Sequence, residues 1–171
     1  SHDAVTGLLN RREFERRLAE LIGDARVDGE HHVICYVDLD QFKIVNDTCG
    51  HNAGDELLRQ LSALLAETLR SSDTLARLGG DEFGVLLRNC TTERGVAIAN
   101  ELRRKIEEFR FTWNARTFSV GASIGIAGIS EHAEGANELM SMADAACYVA
   151  KDAGRNRVHV HTPDDAEVEE R

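Results

Sequence analysis

A continuous apolar run in the first third of the chain places the strongest constraint on the fold. Residues 33–37 read Val-Ile-Cys-Tyr-Val without a polar interruption, and Asp38-Leu39-Asp40 follow directly. A run of this length is typical of a strand buried on both faces, so its sheet must be covered on both sides. Ligands of such sheets bind at the carboxyl ends of the strands. The sequence therefore predicts that Asp38 and Asp40 share one face of a central strand at a ligand-binding edge.

Two adjacent glycines predict a second structural feature, a tight β-hairpin. Residues 74–76 and 85–87 form short segments on either side of Arg77-Leu78-Gly79-Gly80-Asp81-Glu82-Phe83. Glycine adopts positive φ without strain, and two bare backbone positions leave room for a bulky ligand. Asp81 and Glu82 are expected on successive strand positions, pointing to opposite faces. The alternative is a surface hairpin with solvated acids, because short motifs often match by chance.

Apolar side chains at helical spacing predict four amphipathic helices. Their expected positions are 10–22, a segment starting at an N-cap Asn52, a segment starting near Thr92, and 138–151 with Gly154 as C-cap. Residues 23–30 and 42–54 are predicted to be polar connections.

Three further strands complete the predicted sheet. They are expected around 111–113, over 118–126, where bulky residues alternate with serine and glycine, and at the edge over 158–160. A hairpin beside crossover helices gives an α/β (α+β) fold class with a mixed central β-sheet flanked by helices, as in polymerase palms.

Length and charge exclude several classes of protein. The 171 residues suffice for one domain, and a net charge of −10 opposes general nucleic-acid binding. No segment approaches the ~20 apolar residues of a membrane span. The first residues lack the features of a signal peptide, and the abrupt start is expected of an excised domain. Four scattered cysteines favour a reducing, cytoplasmic location, while a longer chain could still be membrane-anchored.

The four carboxylates named above predict a metal site if their strands are neighbours. Oxygen ligands without His or Cys partners favour Mg²⁺ or Mn²⁺, which bridge carboxylates to phosphates, so a nucleoside triphosphate is the expected substrate. For Asp40, a cap or a solvated loop position is the favoured interpretation.

Two groups of polar residues are candidates for holding such a substrate. Lys151 and Arg155 would share a helix face if the last helix continued past Gly154, although cations also stabilise a helix C-terminus. The segment 46–55 could bind a guanine base, or it could serve only as turn and helix cap.

Six segments, taken in order, resemble GGDEF domains, the catalytic domains of diguanylate cyclases. They are residues 3–12, 38–47, 50–55, 77–83, 123–127 and 143–157. The resemblance implies a nucleotidyl-cyclase-like fold, a domain over 1–162 and an acidic linker, or the start of a helix leading elsewhere, over 163–171.

The resemblance also implies site residues, in four groups. The metal ligands would be Asp38, the Leu39 carbonyl, Asp81 and Glu82, and the catalytic residues would be Asp81, Glu82 and Lys151. The substrate-binding residues would be Lys43, Asn46, His51, Asp55, Gly79, Gly80 and Arg155. Arg70 and Asp73 would form an inhibitory product site.

Family members condense two GTP into cyclic di-GMP, so the resemblance implies GTP as substrate, cyclic di-GMP as product and inhibitor, a homodimer, and adjacent sensor and EAL phosphodiesterase domains. Two alternatives stay open. The domain could be a regulatory module that binds GTP or cyclic di-GMP, or it could act on another nucleotide.

Overall fold

The computed structural model describes residues 1–170. The helices are Arg11–Asp28 (α1), Phe42–Cys49 (α2), His51–Thr68 (α3), Thr92–Glu108 (α4), Ala136–Asp152 (α5) and Asp165–Glu170 (α6). The strands are His32–Asp40 (β1), Thr74–Gly79 (β2), Glu82–Leu87 (β3), Phe111–Trp113 (β4), Arg116–Phe118 (β5), Gly121–Ile129 (β6) and Val158–Val160 (β7).

Five strands form one sheet in the order β2-β3-β1-β6-β7, and β4 pairs with β5 separately. The pairings in the large sheet are antiparallel except for β6 with β7, which is parallel. The predicted mixed central sheet is therefore confirmed.

The apolar run lies in β1, at the centre of the sheet, and all nine residues of that strand are buried. Val33, Cys35 and Val37 belong to a cluster with side chains of α2, α3 and α4. Ile34 and Tyr36, on the other face, belong to a cluster with α1 and α5. Helices on both faces account for an uninterrupted apolar strand.

Three predictions about the first half of the chain were wrong. Helix α1 begins after Asn10 as expected, but it continues through Gly23 to Asp28 and is capped by Gly29 at φ 73°. The predicted polar connection after β1 contains α2, which buries Phe42 and Val45. The N-cap of α3 is Gly50, not Asn52.

The alternating strand begins later than predicted, at Gly121, because Phe118 ends β5. Its small face allows close contact with α5. A Cβ atom on Gly125 would lie 2.2 Å from the carbonyl oxygen of Ala143 and 2.2 Å from the amide nitrogen of Cys147. Helix α5 ends at Asp152 with Ala153 as its C-cap, one residue before the predicted Gly154.

The acidic segment after Pro163 forms the short helix α6. Its first residue, Asp165, is 2% exposed. The carboxylate accepts hydrogen bonds from the amide and hydroxyl of Thr162 at 3.0 and 2.9 Å, and lies 3.0 Å from Nε2 of His159. Asp165 is thus anchored rather than solvated, and the domain boundary at 162 stays a prediction. None of the helices within residues 1–170 has the length and apolar character to cross a membrane.

Candidate active site

The double-glycine segment forms the predicted hairpin between β2 and β3. Gly79 and Gly80 have φ values of 149° and 46°, and a Cβ atom on either would meet no other atom within 4 Å. The turn is therefore open on its outer side, with bare backbone exposed. Asp81 lies in the turn and Glu82 is the first residue of β3. The prediction that these acids occupy successive strand positions was wrong, because the strand starts one residue later.

Arg77 braces this turn, a role that the sequence analysis missed. Its Nε and Nη2 donate to the Gly80 carbonyl at 2.9 and 2.7 Å, and its Nη1 lies 3.2 Å from the Asp3 carboxylate. Its backbone amide donates to the carbonyl of Leu9 at 2.9 Å. A side chain that bonds to a backbone carbonyl three residues away leaves no pattern in the sequence.

The strand pairing brings the hairpin acids to the end of β1. Asp38 is the register partner of Glu82, so their side chains share a face of the sheet. The amide of Leu39 donates to the carbonyl of Asp81 at 3.1 Å, which joins the turn to the neighbouring strand. Asp38, Leu39, Asp81 and Glu82, the predicted metal ligands, thus lie at one edge of the sheet.

Lys151, in the last turn of α5, places its Nζ 2.7 Å from Oδ2 of Asp38. Burial raises the pKa of Asp38 to about 6; Lys151 acts against this rise, and the charges of Asp81 and Glu82 add to it. Burial opposes protonation of Lys151, but its hydrogen bond with Asp38 raises the pKa of the ammonium group. The lysine thus partly offsets a concentration of negative charge.

The donor types at this edge fit a hard divalent cation, because they are carboxylates and a backbone carbonyl. Within residues 1–170, no three His, Cys, Asp or Glu side chains are already gathered at metal-binding distance. The fit to a divalent cation therefore rests on the chemistry of the donors and on the excess negative charge around Asp38, which Lys151 partly offsets.

Asp40 is a structural residue. It is 6% exposed, and its two oxygens accept hydrogen bonds from the Ser123 hydroxyl at 2.8 Å and the Asn156 amide at 2.9 Å. The cap or solvated loop position expected for Asp40 was wrong, because the carboxylate instead fixes the loop after α5.

The predicted guanine-binding residues lie on two successive helices. Asn46 is on α2, and Asp55 is on α3. Gly54, next to Asp55, packs closely against Asn46, since a Cβ atom there would lie 1.8 Å from Oδ1 of Asn46. The importance of Gly54 was missed, although its place beside Asp55 in the matching segment was a usable signal. Of the other predicted substrate residues, Lys43 and His51 are exposed in the first turns of α2 and α3.

Arg155 and Lys151 do not share a helix face, because the condition for that arrangement, a helix that continues past Gly154, is not met. The helix ends at Asp152, and Arg155 follows in a left-handed conformation with φ 64°. Arg155 instead lines a cleft of about 300 Å³ with Gln41 and Asn156.

Arg70 and Asp73 lie away from the hairpin turn, at the start of β2. Nη2 of Arg70 lies 2.9 Å from Oδ1 of Asp73, whose side chain is 2% exposed, while that of Arg70 is 53% exposed. Both residues line a cleft of about 410 Å³ together with Cys90 and Arg94. An exposed guanidinium held by a buried carboxylate is well placed to bind an anion.

The family model for "Diguanylate cyclase, GGDEF domain" matches residues 1–157. The chain belongs to the GGDEF family. Two relatives match nearly the whole chain. The probable diguanylate cyclase DgcE of Escherichia coli is 48% identical over 97% of the chain, and the cyclic di-GMP phosphodiesterase PdeB of Shewanella oneidensis is 38% identical over 97%. The chain spans 15% and 19% of their respective lengths.

Solved structures share both the sequence family and the fold of this GGDEF domain. The GGDEF domain of TpbB (YfiN) from Pseudomonas aeruginosa matches with a TM-score of 0.93 and 35% identity, over 100% of both chains. The GGDEF domain of DgcB from Caulobacter crescentus, in complex with cyclic di-GMP, matches with a TM-score of 0.88 and 28% identity, over 93% of this chain and 94% of that one.

Proposed function

We propose that this GGDEF domain, over residues 1–162, condenses two GTP into cyclic di-GMP. The observation that carries the proposal is the surroundings of Asp38, beside an open double-glycine turn. Asp38 is the register partner of Glu82, and its Oδ2 lies 2.7 Å from Nζ of Lys151. Such a site offers carboxylates for a cation, a lysine for phosphates and bare backbone for a ribose.

Each residue group has a part in this reaction. Mg²⁺ or Mn²⁺, held by Asp38, the Leu39 carbonyl, Asp81 and Glu82, would supply charge neutralisation on the phosphates. The substrate-binding residues divide between base and phosphates. Asn46, His51 and Asp55 hold guanine; Gly79 and Gly80 admit the ribose and α-phosphate; and Lys43, Lys151 and Arg155 bind phosphate oxygens. Positioning and charge neutralisation are the main contributions a protein makes to phosphoryl transfer.

Two domains must face each other, because each supplies one nucleotide. Each 3′-hydroxyl attacks the α-phosphate of the facing GTP, forms a new P–O bond and expels pyrophosphate. We assign activation of that hydroxyl to Asp81. A homodimer is therefore the active species, and two pyrophosphates leave for each cyclic product.

Product inhibition is the proposed role of Arg70 and Asp73. The exposed Arg70 guanidinium would bind the phosphate and guanine of cyclic di-GMP, and Asp73 would accept from a guanine edge. Binding of product in this cleft would limit its own synthesis.

A regulatory module is the second candidate, supported by the similarity to the phosphodiesterase PdeB and by the small share of each relative that the chain spans. In that case the domain binds GTP or cyclic di-GMP and controls an adjacent EAL domain, with a sensor domain as a further partner.

The test is incubation of the protein with GTP and Mg²⁺ at high concentration, with and without a fused dimerisation domain. We expect cyclic di-GMP from the wild type and none from Asp81→Asn, whereas Gly23→Ala, in α1, serves as a control that retains activity. ATP competition checks the choice of nucleotide. Absence of product from the forced dimer would refute the cyclase. In the full-length protein, an output changed by Arg70→Ala but not by Asp81→Asn would establish the regulatory module.

A further inference from the structure

His32 is a buried histidine in a defined tautomeric state. The residue is 1% exposed at the start of β1. Its Nδ1 lies 2.8 Å from the backbone amide of Asn89. A backbone amide only donates, so Nδ1 is the acceptor and the proton of the neutral ring is on Nε2. That Nε2 is buried without a hydrogen-bond partner among the described residues.

The hydrogen bond from Asn89 holds a strained segment of backbone. Asn89 has φ 50°, in the left-handed region, between the end of β3 and the start of α4. The next amide, that of Cys90, donates to the carbonyl of His31 at 2.9 Å. Two successive amides of this loop are thus tied to the start of β1, and the loop cannot move without breaking one of them.

This loop is one wall of the cleft that contains Arg70 and Asp73. The carbonyl of Arg88 accepts from Nη2 of Arg70 at 2.7 Å. The amide of Arg88 lies 3.4 Å from Oδ1 of Asp73 and donates to it. The peptide groups on both sides of Arg88 therefore orient the two predicted product-binding side chains, and Asn89 is the next residue in the chain.

We propose that His32 is a positioning residue for the product cleft, and that its neutral ring holds the cleft in the form that binds a cyclic dinucleotide. The chain of contacts runs from His32 through Asn89 and the Arg88 peptide groups to Arg70 and Asp73. This inference rests on the proposed inhibitory function of that cleft. It assigns a positioning role to a buried residue that does not contact the ligand.

Protonation of His32 breaks this arrangement. A second proton enters at Nδ1 and replaces the acceptor with a donor that faces the Asn89 amide. Burial lowers the pKa of His32, as does the charge of Arg88, while the acids of Glu30, Asp28 and Asp24 act in the opposite direction. The ring is therefore neutral near pH 7, and its contribution is lost as the pH falls through its lowered pKa.

Calorimetric titration with cyclic di-GMP tests the inference on the wild type, His32→Asn, His32→Phe and Arg70→Ala. The Asn side chain supplies an acceptor at the position of Nδ1 but does not titrate, whereas Phe fills the site without an acceptor. We expect His32→Phe to weaken binding about five-fold near neutral pH, the effect of one lost hydrogen bond. Binding to His32→Asn should stay within about two-fold of the wild type on the same reasoning.

The pH profile separates positioning from mere packing. Wild-type affinity should fall about five-fold as the pH is lowered from about 8 through the lowered pKa of His32, and this fall should be reduced or absent in His32→Asn. The exposed His132, replaced by Asn, is the matched control and should keep the wild-type profile. Equal binding by the wild type and His32→Phe, or an unchanged pH profile in His32→Asn, would overturn the inference.

The outcome for Arg70→Ala distinguishes the inhibitory function of the cleft from the positioning role of His32. If Arg70→Ala binds as tightly as the wild type, the cleft is not a product site, and both the inhibitory function and the inference fail. If Arg70→Ala is weaker while both His32 variants behave as the wild type, the inhibitory function stands and the inference alone fails. If His32→Phe does not fold, the pH profile of His32→Asn decides.

Discussion

Replacing Gly54 by alanine is the most direct test of the proposed guanine site. The new Cβ atom would lie 1.8 Å from Oδ1 and 2.9 Å from Cγ of Asn46, and 3.1 Å from Cζ of Phe42. Ordinary contacts of a Cβ atom are 3.4–4 Å, so Oδ1 must retreat by roughly 1.6 Å or more, or the amide must rotate away. Gly54 is buried in the first turn of α3, beside Asp55, for which guanine binding is proposed.

Two energetic effects oppose each other in this variant. Alanine is favoured over glycine in a helix by about 1 kcal/mol, whereas overpacking costs about 1–3 kcal/mol. The net change in the free energy of unfolding should therefore be small, at most about 2 kcal/mol of destabilisation. A displaced Asn46 leaves guanine with an unmatched polar group, which costs about 1–3 kcal/mol, so the affinity for GTP should fall about 5- to 150-fold.

The assay is titration of GTP into Gly54→Ala, together with chemical unfolding of the same protein. Gly23→Ala is the matched control, because Gly23 lies inside α1 and its added Cβ would meet no atom within 4 Å. It should gain up to about 1 kcal/mol in stability and bind GTP normally. In the double variant Asn46→Ala/Gly54→Ala, the loss of GTP affinity should be smaller than the sum of the losses in the two single variants, because Gly54 acts through Asn46. Wild-type affinity in Gly54→Ala would refute the role given to Asn46.

Two further predictions concern stability. Gly125→Ala places a Cβ atom against the backbone of α5 and should destabilise the fold by about 3 kcal/mol or more in urea unfolding. Gly135→Ala, with open space around it, should lose only about 1 kcal/mol or less, because Gly135 is the N-cap of α5. Equal stability of the two variants would contradict the close contact of β6 with α5. Burial acts to raise the pKa of Asp165, but the hydrogen bonds from Thr162 and His159 outweigh it and lower the pKa. Asp165→Asn should therefore weaken α6 by about 1–3 kcal/mol near neutral pH, measured by amide exchange. That difference should shrink as the pH falls below 3.8 and through the lowered pKa of Asp165, where the wild-type carboxylate is also protonated. A difference that persists below the lowered pKa would contradict this account of Asp165.

The parts of the fold that could be predicted are those that depend on local pattern. An apolar run buried on both faces identified β1, and two glycines between short strands identified the hairpin. The proximity of Asp38 to Glu82 needed one assumption, that these strands are neighbours, and the pairing of β1 with β3 confirms it.

The errors arose where tertiary packing decides the conformation. Gly23 suggested a helix end, but an interior glycine costs only about 1 kcal/mol, and buried contacts on both sides of it carry α1 onward. Helix α2 buries only Phe42 and Val45, too few for a periodic signal in eight residues. Arg155 follows α5 in a left-handed conformation, beyond the helix end that Gly154 indicated, so it does not share a helix face with Lys151.

The bridge between Leu9 and Ala76 bears on how this domain avoids aggregation. Strand β2 is an edge of the sheet, and a bare edge offers unpaired amides and carbonyls to strands of other chains. Leu9 forms a parallel bridge with Ala76 and accepts the amide of Arg77, and Arg77 also pairs with Asp3. The segment before α1 thus blocks the edge strand that leads into the double-glycine turn, so deleting residues 1–10 would expose this strand and favour association between edges.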